Sequence, residues 1–230
     1  MHIHGLQKLA MVDYPGKLAA TVFTGGCNLR CPFCHNALLV TRLAETPEIP
    51  EQEVLDFLAP AGGFWTGWSS PAGAAAPAGR SGFSAEGAGT GLCVKLDTNG
   101  CDPARLAEIL NQGLVDYVAM DVKNAPARYA ETVGIPGFNP APVEESIRLL
   151  RKSTVDYEFR TTLVRELHRP EDLDAIAAWL AGRPGTIFRT FVDSGNLIGR
   201  GYHGFTAEQL QGFAERVRPF FGAVELRGID

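Results

Sequence analysis

Short apolar runs alternate with amphipathic stretches along most of the chain. LAATVFTGG (residues 18–26) predicts a strand running into a glycine turn. PEQEVLDFLAP (residues 50–60) has helical spacing, with Val54, Leu55 and Leu58 on one face. CVKLDTNG (residues 93–100) predicts a strand closed by Asn-Gly. CDPARLAEILNQG (residues 101–113) predicts a helix with Asp102 as N-cap, Pro103 at the first helical position and Gly113 just past the end. LVDYVAMDVK, DYEFRTTLV, GTIFRTFV and the short AVELRG predict further strands. VEESIRLLRKS, RPEDLDAIAAWLAG and TAEQLQGFAERVRPF predict the helices between them.

Strand followed by helix, repeated, means βαβ units and a parallel sheet. Right-handed crossovers curl such a sheet into a full or partial barrel, or leave it open and doubly wound. Either form places ligands at the C-terminal ends of the strands. Cys27 follows the first of these strands, DTNG ends the next clear one and MDVK the one after that. Polar residues delivered to one rim by three strands predict a single shared site.

At 230 residues the chain suits one domain, and 45% apolar residues suffice for a core. A net charge of −5 gives no global basic field to recruit nucleic acid or an anionic membrane. The opening MHIHGLQKLAMVDYPGK has no long apolar run, so neither a signal peptide nor a membrane span is expected there. A cytoplasmic location is the default, where clustered thiols favour metal or redox chemistry over disulfides.

Three of the five cysteines crowd into GGCNLRCPFCHN (residues 25–36), spaced Cys27-x-x-x-Cys31-x-x-Cys34. Thiolates this close on one loop can converge on one metal centre. Four would close a structural zinc site or saturate an iron–sulfur cube. Three leave a position open, which in a 4Fe–4S cluster is one iron free to bind a substrate or cofactor. A zinc knuckle recruiting His35 as fourth ligand is the competing reading. Cys93 and Cys101 stand apart and read as structural residues.

The cysteine spacing, Phe33 before the last cysteine and His35-Asn36 after it resemble the radical S-adenosylmethionine (SAM) enzymes. GLQKLAMVDYPGKLAATVFTGGCNLRCPFCHN, VKLDTNG, GLVDYVAMDVK and VEESIRLL…VDYEFRTTLV are similar to the activating proteins of glycyl radical enzymes, in particular those of anaerobic ribonucleoside-triphosphate reductase. The resemblance implies a partial (β/α)6 barrel of parallel strands over one domain, residues 1–230. It implies a 4Fe–4S cluster on Cys27, Cys31 and Cys34, with SAM chelating the open iron. An electron from flavodoxin or ferredoxin would cleave SAM to methionine and a 5′-deoxyadenosyl radical. That radical would take a hydrogen from a backbone glycine of the partner enzyme. Phe33, His35, Asp97, Thr98, Asn99, Asp121 and Lys123 match family positions that face SAM.

Plainer readings stand beside these. Asn99-Gly100 can be a turn alone, and so can the DYPG ending at residue 16. Asp121 and Lys123, two apart on one strand, can be a solvent-exposed ion pair. Arg160 and His168 could touch SAM or the partner, or serve an ordinary surface role. His2 and His4 are not expected to be ligands. In function, the alternatives are a radical SAM enzyme acting on a small molecule and a non-catalytic iron–sulfur protein.

One segment does not fit the family pattern. Between Ala59 and Gly91 there is no Val, Ile or Leu, and glycine and alanine dominate. Family members carry a second strand and a GGEP-like motif for the SAM amino group here. FWTGWSSPAG is what a one-base shift makes of an apolar residue, LDGVV, another apolar residue and SGG. The family frame resumes near Leu92. A genuine linker insertion is the other reading, and the codons decide between them. Residues 60–91 are accordingly expected to be irregular, and a chain lacking this strand to fold weakly.

Overall fold

The computed structural model describes residues 2–59, 67–72, 92–181 and 186–228. One eight-stranded sheet runs through them in sequence order. Its strands are β1 (Ile3–Tyr14), β2 (Lys17–Thr24), β3 (Gly67–Ala72), β4 (Cys93–Thr98), β5 (Tyr117–Asp121), β6 (Asp156–Leu163), β7 (Thr186–Thr190) and β8 (Val224–Arg227). β1 is antiparallel to β2, and β2 to β8 are all parallel. The architecture is the expected α/β partial barrel, with β1 and β8 at its two edges.

Two strands depart from the sequence reading. β1 was not expected, because its apolar residues do not alternate cleanly. As an edge strand with register irregularities it leaves Leu9, Met11 and Val12 exposed. Pro15-Gly16 turns it into β2, with Gly16 at φ +70°, as the DYPG reading anticipated. The second departure corrects the expectation that residues 60–91 are irregular throughout. Gly67–Ala72 forms a strand between β2 and β4. Hydrogen bonds from two neighbouring backbones need no apolar side chain. Pro71 lacks an N–H, and the ladder tolerates it because beyond Ser69 the strand pairs with β4 alone. The remainder of the segment, with the expected GGEP-like motif, lies outside the described residues.

Among the described residues the α-helices are α1 (Ala37–Thr41), α2 (Glu51–Leu58), α3 (Pro103–Asn111), α4 (Tyr129–Val133), α5 (Ala141–Lys152), α6 (Pro170–Leu180) and α7 (Ala207–Val217). Their starts follow local chemistry. The Asp102 carboxylate accepts from Arg105 N at 2.9 Å, and Thr206 with Gln209 makes a capping box on α7. α3 packs on α5 and α6 on α7. Val118, Met120, Phe159 and Phe188 of the strands are fully buried, as are Val143, Leu150 and Ile176 of the helices. Alternating with them, Lys95, Asp97, Asp121, Glu158 and Arg160 occupy the other face of the strands. A parallel sheet covered on both faces normally reads as a continuous apolar run. A polar inner face therefore marks a cavity rather than a filled core.

The short helix α4, which the sequence reading missed, fixes the cysteine loop. Arg30 N donates to Val133 O at 2.9 Å at its C-terminus. Gly134, which follows at φ +68°, lies so close to the Arg30 carbonyl that a Cβ would collide with it. Gly134→Ala should therefore cost more than about 1 kcal/mol and loosen the loop. Urea unfolding would register it as a lower midpoint, and an unchanged midpoint would show that Gly134 does not hold the loop.

Candidate cofactor site

The loop after β2 is held at several points before any ligand is considered. Gly25 N donates to His2 O at 2.9 Å, Gly26 N to Leu39 O at 2.8 Å and Gly199 N to Pro32 O at 2.7 Å. Cys34 N closes a turn on Cys31 O at 3.0 Å. Cys31 is buried, Cys27 and Cys34 partly so. Burial pushes the Cys31 thiol up to about 12 and raises Cys34 as well, with Lys123 opposing in both cases. Lys123 thus lies within electrostatic reach of two of the three sulfurs.

All ten predicted site residues line one cavity of about 930 Å³: Cys27, Cys31, Cys34, Phe33, His35, Asp97, Thr98, Asn99, Asp121 and Lys123. That volume lies at the upper end of the roughly 300–1,000 Å³ typical of small-molecule sites. Asn99 bridges strand and loop, its Nδ2 donating to Asn28 Oδ1 at 2.8 Å and lying 3.9 Å from Cys27 Sγ. Asn99-Gly100 is also a turn, with Gly100 at φ +71° and Cys101 N donating to Asn99 Oδ1 at 3.0 Å. The two readings of that dipeptide coexist. Phe33 and His35 pack edge-on to Phe191, with centroids 6.4 and 5.4 Å away.

A chain of alternating charge runs from buried Lys95 into the cavity wall. Lys95 Nζ donates to Asp97 Oδ1 at 2.5 Å, and Arg160 reaches Asp97 Oδ2 at 2.9 Å. Arg160 Nε also reaches Asp121 Oδ1 at 3.0 Å, and Lys123 Nζ reaches Asp121 Oδ2 at 3.0 Å. Every oxygen of the two aspartates is engaged. Burial would raise the Asp121 carboxyl, but Arg160 and Lys123 outweigh it and hold the group well below the usual carboxylate range. Burial likewise opposes the charge on Lys123, and Asp121 more than restores it.

Arg160 and His168 correct the surface role considered for them. Arg160 is only 5% exposed and joins the two aspartates. His168 is buried, its Nε2 2.9 Å from Lys123 O and its Nδ1 3.1 Å from Val164 N. It ties two strand ends together from outside the cavity lining, and burial lowers its pKa. Asp121 and Lys123 do form an ion pair, inside the cavity rather than on an open surface. Lys95 and Arg189 went unread in the sequence. The alternation of Lys95 with Val94 and Leu96 was a signal that could have found the first. His2 and His4 instead meet Glu48 and Thr46.

A parallel partial barrel with a thiol-bearing loop at its strand ends defines a class of cofactor-dependent α/β proteins. Within that class, the family model described as "Radical SAM superfamily" matches residues 21–180, and the chain belongs to that superfamily. Membership implies a 4Fe–4S cluster and SAM. A Methanocaldococcus jannaschii protein named "Putative glycyl-radical enzyme activating enzyme" is 32% identical over 181 residues, 76% of this chain and 73% of that one. Streptococcus suis SuiB bound to the precursor peptide SuiA has a similar fold, with TM-score 0.70 and 12% identity over 88% of this chain. So has anSMEcpe with bound AdoMet and a Kp18Cys peptide, with TM-score 0.61 and 14% identity over 90% of this chain. The chain spans 46% of the SuiB chain and 63% of anSMEcpe. Among the described residues no helix is long and apolar enough to cross a membrane.

The donor set suits the implied group. Zinc with Zn–S bonds of about 2.3 Å would draw its sulfurs to within ~4 Å of one another. Among the described residues no three Cys, His, Asp or Glu side chains gather for a single ion. Cys27, Cys31 and Cys34 line one cavity, and three thiol donors would hold a 4Fe–4S cluster with one iron left without a protein ligand.

Asp121→Asn should destabilise the protein by about 3 kcal/mol, the low end for a broken buried pair because the carboxylate is partly solvated. A depressed carboxyl contributes stability above its unfolded pKa of about 3.9 and loses it as pH falls toward the folded value. The gap between wild type and variant should therefore narrow below about pH 4 in urea titrations. A gap independent of pH would contradict the charge chain.

Proposed function

We propose that this chain is a radical SAM activase that generates a glycyl radical on a partner enzyme, anaerobic ribonucleoside-triphosphate reductase. The observation that carries the proposal is the three-thiol loop opening onto a cavity walled by paired charges. Cys27, Cys31 and Cys34 would hold the 4Fe–4S cluster, leaving one iron for SAM. The cluster, when bound, would relay one electron from flavodoxin or ferredoxin and supply the reductive chemistry on SAM.

The chain's own residues orient and enclose. Phe33 and His35 would flank SAM beside the last cysteine, and Thr98, Asn99 and Lys123 would offer polar groups at the strand ends. Asp97 and Asp121 act as positioning residues, because their oxygens are already spent on Lys95, Arg160 and Lys123. The apolar rim supports a macromolecular substrate over a small one. Met11, Val12 and Val192 are 73%, 71% and 59% exposed, yet all three line the cavity. The Methanocaldococcus jannaschii relative, named as an enzyme that activates a glycyl-radical enzyme, supports the same choice.

The test is anaerobic. After reconstitution with iron and sulfide, addition of SAM and dithionite should yield 5′-deoxyadenosine, and the reductase should acquire a glycyl radical visible by electron paramagnetic resonance. Cys27→Ser, Cys31→Ser and Cys34→Ser should each abolish both signals. Product without a radical on the reductase would exclude that partner, and no product from wild type would exclude the enzyme.

A further inference from the structure

The barrel has a second cavity at its other end. The cysteine loop follows the C-terminal end of β2, and the cofactor cavity lies on that side. A cavity of about 480 Å³ opens instead where β5, β6 and β7 begin, at Tyr117, Asp156 and Thr186. Its size falls within the roughly 300–1,000 Å³ of small-molecule sites. Asp156, Glu158 and Glu225 line it, and among the described residues no Lys, Arg or His does. Glu225 also borders the cofactor cavity, and both its oxygens are held by Arg227, at 2.7 and 3.3 Å. Glu158 is only 5% exposed, and its Oε2 accepts from the Tyr117 hydroxyl at 2.9 Å. Its Oε1 is buried and has no hydrogen-bond partner among the described residues. Lys95, Arg160 and Arg227 lie within electrostatic reach, so the carboxylate has counter-charge. What Oε1 lacks is a donor, and a buried acceptor left unsatisfied is destabilising until one reaches it.

The surroundings narrow what brings that donor. Asp156 stands exposed at the start of β6, and among the described residues it pairs with no cation. A ligand that faces Asp156 and Glu158 together is favoured when it carries positive charge. Tyr117 and Tyr157 line the same space, and aromatic faces attract ammonium and guanidinium groups. Val155, Ile187 and Ala223 add apolar wall for a short carbon chain. A bare divalent ion fits poorly, because among the described residues no three Cys, His, Asp or Glu side chains gather for one. We propose that this cavity is a second binding site, for a small aliphatic amine or guanidine whose N–H groups donate to Glu158 Oε1 and whose charge faces Asp156. The cofactor cavity, with Lys123, Arg160 and Arg189 in its lining, disfavours the same ligand.

Isothermal titration of putrescine into the reconstituted protein under anaerobic conditions tests it, with the neutral diol of the same length as the second probe. Putrescine should bind and the diol should not. Glu158→Gln should weaken putrescine about 10- to 100-fold, and Asp156→Asn about 2- to 5-fold. Asp156 is exposed, so its variant carries the test if circular dichroism shows Glu158→Gln to be misfolded. Putrescine affinity should be the same with SAM present, since the two cavities lie at opposite ends of the strands. A wild-type protein that does not bind putrescine overturns the proposal. Equal binding of the diol overturns it too, since charge would then not be what the cavity reads. Wild-type affinity in every variant that folds, or loss of putrescine binding on addition of SAM, overturns it by placing the amine elsewhere.

Discussion

Arg160 lies between Asp97 and Asp121, and the inner face of the barrel is organised around that contact. A parallel sheet stabilised by apolar packing alone would fill its interior. Here the outward positions of β4, β5 and β6 supply the packing, and the inward positions carry charge. Charges removed from bulk water persist only when paired and hydrogen-bonded. Arg160 meets that requirement for two strands at once, and Lys95 and Lys123 complete it at the ends. The result is a polar wall of paired charges beside the thiols.

The reactive part is built differently from the wall. The cysteines sit on a loop, positioned by backbone hydrogen bonds to Leu39, Val133 and the Gly199 segment rather than by strand pairing. A loop of this kind can present three thiols on one side without forcing any into a sheet register. Asn99 connects loop and wall, so movement of either one is felt by the other. This division would let the site take a large inorganic group while the scaffold stays packed.

Much of this was legible in the sequence because the signals were local. The cysteine spacing, the Asp102 cap and the periodicity of Val54 and Leu58 each depend on a few neighbouring residues, and the structure has them as read. All ten candidate site residues meet in one cavity because strand ends of a parallel sheet share a rim. The misses depend on distant partners. β3 is specified by β2 and β4 rather than by its own composition. β1 is an edge strand whose exposed apolar residues blur the period. Arg160 and His168 look like surface residues until Asp97, Asp121 and the Lys123 carbonyl, 39 or more residues away, are brought against them. Among the described residues Arg189 has no ion pair, which no sequence window reveals.

The central claim is that three thiols hold an iron–sulfur cluster with one iron left for SAM. Mössbauer spectroscopy of the protein reconstituted with ⁵⁷Fe, recorded without and with SAM, tests it most directly. One iron site should separate from the others when SAM is added, while the remaining sites keep their parameters. A spectrum indifferent to SAM, or a protein that takes up zinc in place of iron, would contradict it.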